Sequence, residues 1–279
     1  MDYETLAGVI VFTTFAIFYS LELLGGKIQQ SPRPLRDALF TLVGVFSQAI
    51  LAGALVGSIV GYIITLLVPE HAGALSGVSF WLAFPLIFVS NEFMHYWLHR
   101  AAHEWRWLWK IHRTHHSAQH INTGTLYRYN IFWVMMLPHV WTGVAAVYFG
   151  LGAPFMAAVL TTYFVNALTH TSYRWDLWLR EKLPWSEPLW KVVEQVVTLP
   201  DTHHAHHAYG PGAHPNGNYA ISIFLLDNIF GTAKVPNTRQ QQFGLPISPR
   251  LHWAEELFWP LVKKPLLPKP AAQGVSPEA

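Results

Sequence analysis

The stretch that decides the fold is residues 131–170, which read IFWVMMLPHVWTGVAAVYFGLGAPFMAAVLTTYFVNALTH. It contains no Asp, Glu, Lys or Arg, and Gly150-Leu-Gly-Ala-Pro154 interrupts it near its middle. A helix that crosses the hydrocarbon core of a bilayer needs about 20 mainly apolar residues, and Gly and Pro mark turns. The pattern therefore predicts two membrane spans in a tight hairpin, which returns at His170 to the face where it began.

Three further runs with few or no charges precede this hairpin, at residues 5–21, 38–69 and 74–90. The chain is therefore predicted to be all-α, an integral membrane helical bundle with four or five spans. Its composition agrees, because charged residues make up 12% of the chain, about half of the roughly 25% typical of soluble domains. The alternative is a large soluble helical protein, which would have too few charges to cover its surface.

The basic residues of the short loops predict the orientation. Lys27, Arg33 and Arg36 lie between the first two runs, whereas the loop around Glu70 has neither Lys nor Arg. Because basic loops stay in the cytoplasm, the third run brings Glu92 and the residues after it to the cytoplasmic face. We therefore expect a multi-pass protein of a bacterial inner membrane or ER membrane, with a cytoplasmic histidine-rich cap.

Net charge and cysteine content exclude several functions. The formal net charge is +2 and the chain has no run of Lys or Arg, so no nucleic-acid partner is expected. Cysteine is absent, which excludes disulfides, thiolate zinc sites and Cys-held iron–sulfur clusters within this chain. Histidine is abundant, with 16 residues against 16 Asp plus Glu, so imidazole is the candidate metal ligand.

The histidines recur at helical spacing in three boxes. The first is His99-Arg-Ala-Ala-His103, and the other two, His112-Arg-Thr-His-His116 and His203-His-Ala-His-His207, share one pattern. Side chains three or four residues apart lie on the same face of a helix and can share a metal ion. His204 is left out, because it would face away from its neighbours. No catalytic residue beyond the metal ligands is predicted, and these are His99, His103, His112, His115, His116, His170, His203, His206 and His207.

Ligand type alone leaves iron, zinc, copper and nickel open. Three boxes and His170 could surround two metal ions, and a polyhistidine site at a membrane favours iron that activates dioxygen. A zinc-dependent membrane hydrolase would more often carry His-Glu-x-x-His, which is absent. A metal-binding or transport protein would place its histidines nearer the middle of the membrane. These two functions remain the alternatives, and zinc could also replace iron in a purified sample.

Other polar residues near the boxes are candidates for a further ligand or for an outer-shell partner of a ligand imidazole. They are His95, Glu92, Asn166, Asp201, His214 and Asp227. Asn166 lies one helical turn before His170 and could hydrogen-bond a metal-bound water. A hydrogen bond between helices is the alternative for Asn166.

At these motifs the chain resembles the fatty acid hydroxylase/sterol desaturase superfamily of membrane di-iron oxygenases, over residues 88–232. The resemblance rests on the three boxes, His170, Asn218-Tyr219 and the closing Leu226-Asp-Asn-Ile-Phe-Gly-Thr232. It implies that the eight box histidines bind two iron ions, and His170 matches the isolated histidine of that family. It also implies dioxygen as co-substrate. No cytochrome b5-like domain is visible, so a separate electron donor is expected, similar to cytochrome b5 or to a ferredoxin and its reductase.

The expected function is that of an oxidoreductase, a monooxygenase or desaturase that oxidises a C–H bond of a lipid with dioxygen and two external electrons. A sterol or a fatty acyl lipid would be its substrate. The predicted domains are N-terminal transmembrane helices at 1–87, a catalytic domain at 88–232 and a C-terminal segment at 233–279. Within that last segment, Leu251–Val262 predicts an amphipathic surface helix, and the residues from Lys263 predict a disordered tail.

Overall fold

The computed structural model describes residues 3–247 and 250–268, and within these ranges the protein is helical, with two isolated β-bridges and no strand. A π-helical segment, Gln48–Val56, joins two of the helices, and a 3-10 turn, Thr123–Tyr127, follows the second histidine box. The predicted all-α class is confirmed. In chain order the helices are α1 (Tyr3–Leu24), α2 (Pro34–Ser47), α3 (Gly57–Leu67), α4 (Phe80–Glu104), α5 (Arg106–His116), α6 (Trp133–Met136), α7 (Pro138–Tyr148), α8 (Gly152–His170), α9 (Trp175–Lys182), α10 (Glu187–Val196), α11 (Pro200–His207), α12 (Leu225–Ile229) and α13 (Trp253–Phe258).

Helix α8 is the central element, because it packs against α1, α4, α7 and α11. Ala158 and Ala167 are buried on it, and such small side chains let neighbouring helices approach closely. The contact with α7 is also close. A Cβ atom built on Gly143 would lie 2.6 Å from the ring of Phe155. The second half of the predicted hairpin is therefore the helix around which the others are arranged.

Three helices in the described ranges are long and apolar enough to cross a membrane, namely Thr5–Leu24, Pro34–Leu67 and Gly152–His170. These helices contain the predicted runs at 5–21 and 38–69 and the second half of the predicted hairpin, so the prediction of membrane helices is confirmed, and the count of four or five stays a prediction. The first half of the predicted hairpin is broken at Leu137, whose extended backbone precedes Pro138. Helix α7 then has 11 residues, about 16 Å in length, which is well short of a roughly 30 Å hydrocarbon core.

The third predicted span, at Ala74–Ser90, is replaced by the longer helix α4. This helix begins only at Phe80, because the preceding residues form turns against the end of α7, where the Leu75 N–H donates to the Phe149 carbonyl at 2.8 Å. It then continues without a break to Glu104. The first histidine box is therefore the end of a helix whose first half is apolar.

A buried carboxylate fixes the end of α1 to the loops around the histidines. Glu22 is fully buried and accepts the backbone N–H of Thr123 at 2.7 Å. Its other oxygen accepts the Thr171 hydroxyl at 3.0 Å and the Ser172 N–H at 2.6 Å. Thr123 follows the second box and Thr171 follows His170. One side chain of a membrane helix thus holds the two segments that carry these histidines.

The C-terminal segment differs from the predicted surface helix. Helix α13 spans only Trp253–Phe258, and Glu256 and Leu257 on it are buried. It packs against α5, and the Thr114 hydroxyl donates to the Glu256 carbonyl at 2.7 Å. Of the predicted tail, Leu267 donates its N–H to the Arg250 carbonyl at 2.8 Å. Residues 269–279 lie outside the described residues.

Candidate metal centre

Four helices bring nine imidazoles together at one end of α8. Each box lies on one helix, α4, α5 or α11, and His170 is the last residue of α8. Within each cluster all the ligand atoms lie within 4.8 Å of one another. The five-histidine cluster consists of His99, His103, His112, His116 and His206, and the four-histidine cluster consists of His115, His170, His203 and His207.

The pair His99 and His206 carries the strongest chemical indication of a metal. The Nδ1 atoms of these rings lie 2.7 Å from the backbone carbonyls of Tyr219 and Gly217, respectively. A carbonyl only accepts, so each Nδ1 carries the proton and each Nε2 keeps a lone pair in the neutral ring. The two Nε2 atoms are 3.0 Å apart. Two lone pairs at this distance repel each other unless a cation binds both.

The other ring nitrogens converge in the same way. His116 Nε2 lies 3.1 Å from the Nε2 atoms of both His103 and His112. In the second cluster, His170 Nε2 lies 3.3 Å from that of His115 and 3.0 Å from that of His203. Nitrogens about 2.0–2.1 Å from a shared metal ion lie about 2.9–3.4 Å apart in octahedral or tetrahedral shells. The spacing in both clusters therefore fits imidazoles around an ion.

Burial keeps these imidazoles in the form that binds metal. Desolvation, with the neighbouring histidines adding to it, lowers the pKa of His112, His116 and His207 well below the usual 6.5. A neutral imidazole has the free lone pair that a metal requires, whereas an imidazolium has none. The clusters contain no carboxylate, so the nine imidazoles form a neutral donor set suited to iron, zinc, copper or nickel.

The two clusters are neighbours. The rings of His116, in the first cluster, and His207, in the second, stack with centroids 4.4 Å apart and an interplanar angle of 20°. His112 and His115, also one from each cluster, have ring centroids 5.5 Å apart. Two ions held in these clusters would therefore lie side by side, as a two-metal centre requires.

All nine of the predicted ligand residues lie in the clusters, and none of the additional candidates does. His95 packs edge-on against His99, with ring centroids 6.0 Å apart, but stays outside the ligand group. His214 Nε2 instead lies 3.0 Å from the Thr232 carbonyl. The omitted His204 is buried with its Nε2 3.1 Å from the Thr171 carbonyl, also outside the clusters.

The carboxylates suggested as outer-shell partners contact backbone and other side chains instead of cluster imidazoles. Glu92 accepts the Thr162 hydroxyl at 2.6 Å and the Ser222 N–H at 2.9 Å. Asp201 pairs with Arg174 at 2.8 Å. Asp227 accepts the N–H groups of residues 219 and 220 at 2.8 and 2.9 Å. Asp227 therefore acts on the cluster indirectly. It holds the backbone at residue 219, and the carbonyl of Tyr219 is the partner of His99.

Backbone carbonyls take the place expected for the carboxylates. Besides Tyr219 and Gly217, the Asn166 carbonyl lies 2.9 Å from His170 Nδ1. Asn166 is thus a partner of a cluster histidine through its backbone, and the suggested hydrogen bond of its side chain to a metal-bound water stays a prediction. Sequence reasoning missed Gly217 and Tyr219 in this role, because a carbonyl acceptor leaves no signal in the type of side chain.

The loop that carries these two carbonyls has little freedom. Asn218 adopts the left-handed conformation with φ 56°, which Asn tolerates better than most residues. Its side chain donates to the Thr202 carbonyl at 2.9 Å and accepts the Lys234 N–H at 2.7 Å. A Cβ atom on Gly217 would lie 2.5 Å from the Thr232 carbonyl oxygen. The loop therefore requires glycine at 217.

We expect Gly217→Ala to weaken metal binding in the five-histidine cluster by about 10–100-fold, the usual cost of losing an outer-shell partner. The added methyl group would push the loop away and remove the carbonyl acceptor of His206. A competition titration against a chelator measures the affinity. The control is Gly77→Ala, because a Cβ atom at this exposed glycine meets nothing within 4 Å. Equal affinities for the two variants would contradict the role given to the loop.

A cavity of about 230 Å³ adjoins both clusters. His99 and His112 of the first cluster and His115, His170 and His203 of the second line one end of it. The remaining wall combines apolar side chains with a similar number of side chains that carry polar groups. Among these wall residues are Val11, Gln48, Trp133, Leu137, Ala158 and Val159.

A sequence model described as Fatty acid hydroxylase matches residues 84–232, more than half of the chain. The chain belongs to the fatty acid hydroxylase family. The region matched in this family contains all nine cluster histidines, whereas Val11 and Gln48 of the cavity wall lie before it. The N-terminal helices thus complete a cavity whose histidine-lined end lies within the family region.

Three similar curated proteins have the same name, alkylglycerol monooxygenase. The protein from Xenopus tropicalis is 26% identical over 166 residues, which cover 57% of this chain and 32% of the relative. The protein from Danio rerio is 26% identical over 194 residues, which cover 66% of this chain and 37% of the relative. The human protein is 28% identical over 153 residues, which cover 54% of this chain and 31% of the relative. The chain thus spans about a third of the length of these relatives. No solved structure matches it.

Proposed function

We propose that this member of the fatty acid hydroxylase family is a membrane-bound lipid monooxygenase with a di-iron centre. The observation that carries the proposal is the pair of opposed lone pairs on His99 and His206, in a cluster that opens into a cavity among membrane helices. Such an arrangement suits a metal that reacts with a lipid. The names of the similar proteins favour insertion of oxygen over desaturation, and an alkylglycerol over a sterol as substrate.

One iron ion would be held by each cluster. The chemistry that the iron pair supplies is the reduction of dioxygen by two external electrons and two protons, with one oxygen atom inserted into a C–H bond and the other released as water. A separate electron-transfer protein would supply these electrons. The family and the all-imidazole donor set support iron, and zinc could occupy the same ligands.

The residues of the chain would bind and position the lipid and keep water away from it. The apolar wall of the cavity excludes bulk water from the clusters, and a fixed pose holds one C–H bond near the metal-binding end. The Asn166 side-chain Oδ1 is buried without a hydrogen-bond partner in the described part of the chain. It can accept a hydroxyl of a bound lipid beside His170.

The proposed location is a bacterial inner membrane or ER membrane with the clusters on the cytoplasmic side, as the basic loop between α1 and α2 favours. On this view residues 88–232 form the catalytic domain, residues 1–87 anchor it in the membrane, and the C-terminal segment packs on the second box. A reporter fused after Thr232 would test the orientation, since a reading on the opposite face would contradict it.

We expect the purified protein, reconstituted anaerobically with ferrous iron, to bind two iron ions per chain. The protein is then placed in phosphatidylcholine nanodiscs that contain hexadecylglycerol, and a chemical reductant and heavy-isotope dioxygen are added. The lipid product should carry one heavy oxygen atom. Mass spectrometry of the metal and of the lipid provides both readouts. One iron or none per chain would refute the di-iron centre. Two irons with no oxygenated hexadecylglycerol would refute the proposed substrate class.

A further inference from the structure

An open groove of about 490 Å³ adjoins the cavity. The π-helical segment forms one wall, and α7 and the start of α8 form the other. Gly53 leaves space in the groove, because a Cβ atom built there would meet nothing within 4 Å. Its helices carry large apolar side chains on the outside, such as Ile50 and Leu55, which are 59% and 44% exposed. The surface around the groove is therefore apolar, as a surface that faces lipid is.

Two residues line both the groove and the cavity, namely Gln48 and His139. They are the only polar side chains lining the groove in the described part of the chain, and every other lining residue is apolar or glycine. The groove and the cavity therefore adjoin each other, and these two polar side chains lie at the boundary between them.

The hydrogen-bonding groups of the cavity are partly unused. In the described ranges the buried Oδ1 of Asn166 has no hydrogen-bond partner, and the imidazoles of His95 and His139 line the same cavity. Gln48 accepts the Tyr129 hydroxyl at 3.2 Å. Polar groups in an apolar membrane setting are costly unless they find a partner. The polar end of a lipid would supply that partner.

We infer that a lipid enters laterally through the groove with its polar end first, so that its hydroxyl or ether oxygens bind His139, His95 and Asn166 while its chain stays in the groove. This inference rests on the proposed function and makes His139 a specificity-determining residue. The C–H bonds presented to the clusters are then those near the polar end. A lipid that entered with its chain first would bring its tail to the clusters instead.

Two photoactivatable forms of hexadecylglycerol in phosphatidylcholine nanodiscs test the orientation without turnover. A diazirine at the chain end should label the groove walls, at residues 52–57 and 140–147. A diazirine beside the glycerol should label the cavity wall at residues 158–166. Peptide mass spectrometry locates the labels. The reversed pattern, or labelling of neither wall by either probe, would overturn the inference.

A bulky side chain that fills the groove tests whether the lipid enters through it. Gly53 and Gly8 are both exposed helical glycines at which a Cβ atom meets nothing within 4 Å, but only Gly53 lines the groove. We expect Gly53→Trp to reduce labelling of residues 158–166 by the glycerol-end probe at least tenfold, and Gly8→Trp to leave it unchanged. Equal labelling in the two variants would overturn the path.

The role of His139, at the boundary between groove and cavity, is tested by comparing lipids with and without a polar end. His139→Leu should reduce cavity labelling by the glycerol-end probe several-fold but leave that by a hexadecane diazirine unchanged. An equal loss of both probes, or no loss of either, would overturn the role of His139. These outcomes are separate from those for the proposed function. Labelling as expected without oxygenated product would refute the monooxygenase and leave the entry path standing.

Discussion

Replacement of His206 by alanine is expected to empty the five-histidine cluster and to abolish lipid oxidation. The variant removes one of the two opposed lone pairs and with it the ligand that joins α11 to α4. Loss of an outer-shell partner alone costs about 10–100-fold in metal affinity, so loss of the ligand itself should cost at least about 100-fold. After dialysis, mass spectrometry should find one metal ion per chain instead of two.

The matched control is His204→Ala. His204 lies in the same box and is equally buried, but its Nε2 faces the Thr171 carbonyl rather than a cluster. This variant should keep two metal ions per chain, and a thermal unfolding curve of each variant in detergent separates loss of metal from loss of fold. Retention of both ions by the His206 variant, or loss of one by the His204 variant as well, would contradict the assignment of ligands.

The second large effect is expected at Glu256, which lies outside the family region. This carboxylate is fully buried, pairs with Arg36 and accepts the Ser117 hydroxyl. Arg128 Nη2 is a further 3.6 Å neighbour, and Arg128 is itself buried. Burial lowers the pKa of Arg128 to about 10, so this side chain is still a cation at neutral pH and needs its anionic partners.

Glu256→Ala should lower the free energy of unfolding by roughly 3–5 kcal/mol, because the largely buried Arg36 loses its carboxylate partner, whereas Arg128 keeps its pair with Asp37. It would also release α13 from α5, the helix that carries the second histidine box. Thermal unfolding in detergent measures the stability, and iron content measures the effect on the box. The control is Glu181→Ala, since that carboxylate is 76% exposed and makes only a 3.7 Å pair with Lys182.

A change in melting temperature no larger than that of Glu181→Ala would contradict this role of Glu256. Glu256→Gln separates charge from hydrogen bonding, because the amide keeps an acceptor for Ser117 but carries no charge for Arg36. We expect the melting temperature of Glu256→Gln to lie between those of Glu256→Ala and Glu181→Ala. A Gln variant as stable as the unmodified protein would mean that the hydrogen bonds, rather than the charge, stabilise the C-terminal segment.

The sequence alone predicts the helical class and the nine histidines of the clusters. These features are local. A run without charges reports a helix that faces lipid, and spacings of three and four residues place imidazoles on one helix face. His170 needed the family resemblance as well, since an isolated histidine has no spacing.

The bounds of the apolar helices were predicted less well, because a charge-free run does not reveal where its helix breaks. Pro138 and the extended Leu137 divide the hairpin, and turns at the end of α7 delay the start of α4. The segment around helix Trp253–Phe258 was predicted to be a surface helix, because glutamates such as Glu256 are usually exposed. The burial of Glu256 depends on partners distant in the chain, among them Arg36, which lies 220 residues away and pairs with it.

By itself the sequence determined which imidazoles are available as ligands, since type and spacing are properties of the chain. Only the tertiary structure decided how they divide into a cluster of five and a cluster of four, because His115 and its neighbour His116 point to different clusters. It also decided which atoms fix the imidazoles, namely the carbonyls of Asn166, Gly217 and Tyr219 rather than carboxylates. Every residue has a carbonyl, so its partner is set by the path of the chain and not by the side chain it carries.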